Sequence, residues 1–566
     1  MNNFNRNLYI KQQINQFKYC YLSIQNLILA SSLLSIINSK RDMVRLVREY
    51  EQNYQIPQIK NSEIQEKFDK HIQDNRSSIF YNLFLFILLI EFSSEGLHLV
   101  YLYPQSQPFQ QPSFGNKSIS STQYTLIHII LSSSGFIFGI FSGYVNDFVK
   151  RKYSFMIYLV PYYTIIIMQV CLMIQYIYYD QSYYVIDNND EVNMKQIVLI
   201  IEFFWHMIQD GYKVVTYLII LDYFLNYKYY FYFAFIIVAQ QDLSYTLQIG
   251  VYSFVVYFQN NNFYSEYYSP DNANINNAPT LSSTSRIVLL AFYLTASLCS
   301  IIPFKRILKI LEEKHSIEEQ DEELLNYNIL GANKQNVFDN FSYLINKKTY
   351  IVYVIIFIIF YQTSLFQWIS TYQNSFFLDY ANKLNIKNVL IPINNILNPI
   401  FSIIFTVYFA YKFKDETNPF GLQLDQKLRL SCTSIQIFNF FMLIANSCRS
   451  KDCQDGLIGD SILEMFLSVM YICSSFIGTA SNFLLMCSIL KIAEIFNVRS
   501  KVLGSAFSIY ISALYGFEVI DYLMYNYPSS SSFSTILYSV YFALNSLSLF
   551  AMIIIHSKYH KTVKVH

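Results

Sequence analysis

The sequence predicts an all-α polytopic membrane protein: two six-helix bundles joined by a charged segment, with an extra helix before the first. Three observations carry this. Only 14% of the 566 residues are charged while 53% are hydrophobic, whereas a soluble domain carries about 25% charged residues. The apolar residues recur in blocks close to the ~20 that a helix needs to cross a bilayer. Lys and Arg, finally, alternate in density between successive loops as they do around spanning helices.

Twelve blocks qualify: 79–103, 124–145, 153–178, 196–225, 231–258, 287–304, 349–376, 388–411, 428–447, 461–490, 502–525 and 534–555. A weaker block, 19–37, is interrupted by Gln25 and Asn26 and follows a polar stretch with scattered positive charge. A cleavable signal places its charge directly before the apolar run, so this block reads as an extra amphipathic or spanning helix. The longest polar segment within the core is 305–348, with Glu312, Glu313, Glu318, Glu319, Asp321, Glu322 and Glu323. The organisation expected is an N-terminal extension (1–76), a six-helix bundle (77–304), a cytoplasmic linker (305–348), a second six-helix bundle (349–555) and a cytoplasmic tail (556–566).

With the loop between the second and third core helices placed inside, the inside loops and tail carry 29 Lys and Arg and the outside loops 7. Miscounting one helix would scramble that alternation, so both ends of the core are expected in the cytoplasm. The sequon Asn116-Lys117-Ser118 falls in an outside loop, and so do Cys448 and Cys453, which could form a disulfide there. Both features favour a plasma or secretory-pathway membrane over a mitochondrial one. The other six cysteines lie in or beside apolar blocks and read as small buried hydrophobes. A formal net charge of +1 excludes a basic nucleic-acid-binding domain.

After the second core helix the chain reads Gly143-Tyr144-Val145-Asn146-Asp147-Phe148-Val149-Lys150-Arg151-Lys152. This resembles the major facilitator signature G-x-x-x-D-[RK]-x-G-[RK]-[RK] at Gly143, Asp147, Arg151 and Lys152. Phe148 stands at a usually basic position and Lys150 at the second glycine. The resemblance implies the major facilitator fold and alternating access, with Gly143 allowing close helix approach and Asp147, Arg151 and Lys152 acting as gating residues. Within that superfamily the chain is similar to the molybdate-anion transporter branch. The extra N-terminal helix, Leu99-Val100-Tyr101-Leu102-Tyr103, Leu221-Asp222-Tyr223-Phe224 and Val498-Arg499-Ser500-Lys501-Val502 carry that similarity. The glycine pair and the arginine expected in the fourth helix are not recognisable. The branch resemblance implies an oxyanion of the molybdate type as substrate.

Ionisable residues at mid-membrane depth are expensive and mark solute or proton paths. The fourth core helix carries Glu202, His206, Asp210 and Lys213 at spacings that place all four on one face, and Asp210 lies within reach of Lys213. The first core helix repeats the pattern with Glu91, Glu95 and His98. Asp242, Glu518 and Asp521 are further candidates. These residues read as a substrate or proton pathway, with His206 or His98 as relay groups; the bland alternative is paired charges that lock helix packing. Pro392 and Pro399, with Asn394, Asn395 and Asn398, could open a polar break in the eighth helix. Trp205, Trp368 and Tyr372 read as packing or interface residues.

The sequence contains no Walker loop, HExxH, GxSxG or glycine-rich dinucleotide turn, so no enzyme, metal or cofactor is expected. The partners implied are the bilayer and a small polar or anionic solute. The function expected is secondary active transport, with proton coupling through the buried carboxylates. The rival from another class is a transport-inactive relative serving as a membrane scaffold or complex subunit.

Overall fold

A computed structural model describes residues 62–102, 121–182, 188–224, 230–259, 283–320 and 387–412. It also describes short stretches within 428–438, 480–487, 503–512 and 539–550. Among these residues there is no strand. The block 19–37, the seventh span, the sequon at Asn116, Cys448, Cys453, Glu518 and Asp521 lie outside them.

The helices are α1 (Ser62–Leu102), α2 (Ser121–Phe148), α3 (Arg151–Ser182), α4 (Asn188–Tyr223), α5 (Tyr230–Gln259), α6 (Ser283–Glu319) and α7 (Lys387–Lys412). Each corresponds to one predicted span, α7 to the eighth, and all extend beyond it at one end or both, while α1 and α4 stop one and two residues short of its far end. Four of the described helices are long and apolar enough to cross a membrane.

The burial pattern is inverted relative to a water-soluble bundle. Large apolar side chains such as Ile130, Phe141, Ile157, Ile167 and Ile302 face outward, while Glu91, Ser93, Ser94, Asn146, Gln169 and Gln248 are buried. Lipid solvates the outward residues as well as a core would, so polar groups retreat to helix–helix contacts. Length, composition and inversion together make this an integral, multi-pass membrane protein.

α1 packs along α6 and against α3 and α5, α2 runs along α4, and α7 lies against α5. Small residues and aromatic rings set these contacts. Gly96 of α1 seats the Tyr293 ring of α6, and Gly211 of α4 seats the Tyr158 ring of α3; a Cβ at either position would collide with the ring. Ser93 Oγ donates to the Tyr293 carbonyl at 2.8 Å, and Tyr158 OH to the Ser142 carbonyl at 3.0 Å.

Three features differ from expectation or add to it. α7 runs unbroken through Pro392 and Pro399, so the polar break expected there is absent. A single proline removes one intrahelical bond that neighbouring helices can absorb. α5 contains a π turn at Ala239–Leu243, a local widening that often marks functional positions. α6 continues fifteen residues past the predicted end of its span at 304, to Glu319.

Candidate functional site

Two groups of functional side chains emerge, one at the rim that the charge count assigns to the cytoplasm and one near mid-membrane.

The rim group is built on Asp147, at the last turn of α2. Its Oδ1 accepts the Gly504 N–H at 2.6 Å, and its Oδ2 accepts the Ser505 N–H at 2.8 Å and the Ser505 hydroxyl at 2.6 Å. Gly504 and Ser505 lie near the start of the predicted eleventh span, so a carboxylate holds backbone amides 357 residues downstream. Free N–H groups and the helix dipole both favour an anion there, by about 0.3–2 kcal/mol for the dipole alone. Hydrogen bonds to a charged group contribute about 1.5–3 kcal/mol each.

The same two helices touch deeper in the membrane. A Cβ on Gly143 would strike the Ser508 side chain and come within 2.6 Å of the Gly504 carbonyl oxygen. One turn further up, Gly139 faces Ser512 and the Asp210 carboxylate. Gly139, Gly143 and Asp147 thus run as one stripe against Gly504, Ser508 and Ser512, the small-xxx-small packing that lets membrane helices approach closely.

Around Asp147 the other matching residues form a charge lattice. Arg151 donates to the Asn146 carbonyl and reaches Asp222 of α4, Nε to Oδ2, at 3.5 Å. Lys314 of α6 meets the same Asp222 oxygen at 2.8 Å and lies over the Phe68 and Tyr223 rings. Lys152 pairs with Glu312 at 2.7 Å. Lys150 meets Glu319 at 3.0 Å and His315 at 2.7 Å. Asp222 and Lys314 carry no role in the sequence reading: Asp222 entered only through a resemblance, and Lys314 sat in a charged run.

The mid-membrane group centres on Glu91 of α1, which is 2% exposed and lies in the field of Glu95 on the same helix, of Lys213 on α4 and of the Gln240 side chain of the α5 π turn. The phenols of Tyr162 and Tyr212 stand in its field. Tyr217 OH donates to Gln240 Oε1 at 2.9 Å, and Gln248 Nε2 donates to the Glu95 carbonyl at 2.9 Å. Glu91 and Lys213 each lie twelve residues from the inner end of a predicted span, about 18 Å at 1.5 Å per residue. That is near the middle of a hydrocarbon layer about 30 Å thick.

Gln240 has no place in the sequence reading. In an uninterrupted α-helix Gln240 and Asp242, two residues apart, point to different sides. Here Gln240 turns to α1 and α4, while Asp242 accepts the Ser402 hydroxyl of α7 at 2.8 Å. The π turn therefore touches both halves of the chain.

The fourth-helix stripe divides. Lys213 acts electrostatically on Glu91 of α1, whereas Asp210, fully buried, turns toward Gly139 and Ser512. Glu202 is buried and His206 half-buried, both in α4 on the outer side of Asp210. His98 falls within α1, and its side chain lies outside the described residues. No cluster of three metal-ligating side chains occurs among the described residues.

No family model matches the chain, and no curated protein does. Among solved structures it is similar to the xylose transporter XylE from E. coli, partially occluded and inward open, at 12% identity and a TM-score of 0.44, over 85% of this chain and 97% of that one. It is similar to the human organic anion transporter TETRAN at 13% identity and 0.44, over 84% and 99%. A peptide transporter bound to sulfate gives 12% and 0.46, over 86% and 95%. A superposition of this depth does not by itself carry a shared fold. The chain's own contacts establish an integral, multi-pass helical protein whose second helix is latched to a segment 357 residues away.

Proposed function

We propose that this chain is a secondary active transporter of the major facilitator type, moving a small polar solute by rocking two six-helix halves about a mid-membrane site. The observation that carries this reading is the Asp147 latch. The residue singled out by the signature motif is the one whose carboxylate holds the N-terminus of the eleventh span. A contact of that kind, at one rim and between the two halves, is what alternating access requires: strong enough to close one side, local enough to release.

The expected order of states follows. With Asp147 seated on Gly504 and Ser505, the rim assigned to the cytoplasm is closed and the solute path faces the other side. Release of the latch opens the inner side. Glu91, Glu95 and Lys213 supply the charge and protons of the path, and Arg151 and Asp222 hold the end of α2 that carries Asp147.

The branch resemblance adds an oxyanion of the molybdate type as the finer reading of the substrate. A transport-inactive scaffold accounts less well for buried polar groups at mid-membrane, since such a bundle gains by filling that space with apolar side chains.

Uptake by the purified protein in liposomes, with and without a pH gradient, tests the reading. Asp147→Asn is expected to insert and fold while losing at least tenfold in uptake rate. Full uptake by Asp147→Asn rejects the latch. A cysteine placed at Ser316 is expected to react on intact cells only with a permeant reagent; reaction with an impermeant one reverses the orientation.

A further inference from the structure

We propose that the inner end of α6 binds an anionic phospholipid of the cytoplasmic leaflet, whose head group seats on Lys305, Arg306 and Lys309. The site lies outside the solute path and does not depend on the transporter reading.

The first support is position along one stripe of α6. Leu298, Ile302, Lys305 and Lys309 are spaced by four, three and four residues, so they follow one another down a single face. Leu298 and Ile302 are 57% and 61% exposed, the Lys309 side chain is 78% exposed, and Lys305 and Arg306 are exposed beside it. The predicted span ends at residue 304, so the three cations lie one, two and five residues past it, about 1.5–8 Å at 1.5 Å per residue. The head-group layer outside the hydrocarbon is about 5–8 Å deep. A lipid whose chains lie on Leu298 and Ile302 brings its phosphate level with the cations. The next charges on the exposed side are Glu312 and Glu313, about 12–14 Å past the span and clear of that layer.

The second support is unmatched charge. Elsewhere at this rim Arg151 and Lys314 meet Asp222, Lys152 meets Glu312, and Lys150 meets Glu319. Lys305 and Arg306 form no ion pair among the described residues, and Lys309 reaches Glu313 only at 4.0 Å. An exposed pair of that kind contributes little. At the opposite end of α6 Arg286 is buried, so the exposed positive charge of this helix is confined to its cytoplasmic end. Anionic lipids give that leaflet its negative potential, and each Lys or Arg near the surface strengthens attraction by about fivefold.

The apolar half of the stripe selects a lipid over a soluble acidic partner, which would leave Leu298 and Ile302 untouched. The same helix supplies Glu312, Lys314 and Glu319 to the rim lattice, so a lipid held at Lys305–Lys309 steadies the segment on which the lattice closes.

The experiment uses the purified full chain in a nonionic detergent. It is titrated with short-chain phosphatidylserine, with short-chain phosphatidylcholine, or with glycerophosphoserine, the head group alone. Thermal unfolding reports binding, since a ligand of the folded state raises the midpoint. The expected result is saturable stabilisation by phosphatidylserine, weakened by salt, and little or none by the other two. Lys305→Gln/Arg306→Gln/Lys309→Gln is expected to raise the phosphatidylserine concentration required at least tenfold, given about fivefold per cation. Lys67→Gln/Lys70→Gln, at exposed positions of α1 nine and twelve residues outside its span, is expected to leave it unchanged. An equal response to phosphatidylcholine removes the anion preference and overturns the proposal. An equal response to glycerophosphoserine makes the patch a free-anion site, and an undiminished response in the triple variant places the lipid elsewhere; either overturns it. Lower stability of the triple variant before any lipid is added assigns the patch to the chain's own acidic residues and also overturns it. Uptake in liposomes, the test of the transporter reading, is decided independently of all four.

Discussion

The rim and the mid-membrane cluster are built from the same residue types and handle charge in opposite ways. At the rim each acid meets a donor or cation: Asp147 accepts three hydrogen bonds, Asp222 is shared by Arg151 and Lys314, and Glu312 and Glu319 hold Lys152 and Lys150. Near mid-membrane, Glu91 lies in the opposing fields of Glu95 and Lys213, and its Oε1 is left without a hydrogen-bond partner. Burial explains why the contrast matters. A matched lattice is stable without anything else present and suits a lock. An unmatched cluster carries a standing desolvation penalty, tolerable where a visiting group or a proton relieves it.

The contrast can be broken most forcibly at the seam. Gly143→Leu places a side chain into Ser508 and the Gly504 carbonyl, so the closed rim is expected to be lost altogether. A cysteine at Ser508 should then become reactive to aqueous reagent; unchanged protection would show that the two helices do not meet as described. Next in size is Asp222→Ala, which leaves Lys314 and Arg151 facing each other with side chains 10% and 18% exposed. Removing one partner from a buried pair costs about 3–5 kcal/mol, and the rim position favours the lower end. Thermal unfolding should show the loss, and Lys314→Met in the same chain should recover part of it by packing on Phe68 and Tyr223.

Asp147→Asn is milder, because the amide oxygen still accepts one bond. Loss of the charge and of a second acceptor should shift the closed state by about 1–3 kcal/mol, read as the shift in reactivity of a cysteine at Ser508. At mid-membrane the sign should reverse. Glu91→Gln removes an undercompensated carboxylate, so stability should hold or rise by up to about 1 kcal/mol while uptake falls. A large stability loss there would make the cluster a lock like the rim and erase the distinction. The smallest effect belongs to Glu312→Gln: its carboxylate is 63% exposed, exposed pairs contribute little, and no measurable change in unfolding is expected.

The sequence displays the spans, the charge asymmetry and the motif because each is written in local composition. It gives Asp147 a role but no partner. Its partners are the backbone amides of Gly504 and Ser505 and the Ser505 hydroxyl; amides carry no side-chain signal, and a single serine carries little. Helical spacing put Glu202, His206, Asp210 and Lys213 on one face, yet a face as broad as theirs touches two neighbours. Asp210 meets α2 and the eleventh span, while Lys213 meets α1. Gln240 was hidden because the π turn shifts the phase of α5 partway along, and no residue of Ala239–Leu243 announces that shift. Lys314 was hidden because α6 outruns its apolar block, so a helical pairing with Asp222 reads, in one dimension, as linker charge.

The glycines lead somewhere further. The whole chain holds only 14, and three of them, Gly139, Gly143 and Gly504, sit in the seam between α2 and the eleventh span, where an added Cβ meets the opposite helix. Such a seam cannot drift one residue at a time, because each enlargement on one side needs a reduction on the other. Gly143 and Ser508 form one such couple: Gly143→Ala alone should strain the contact, and Ser508→Gly beside it should relieve that strain. In related chains these two positions are expected to exchange size together, so a tally of paired substitutions would locate the hinge without any transport assay.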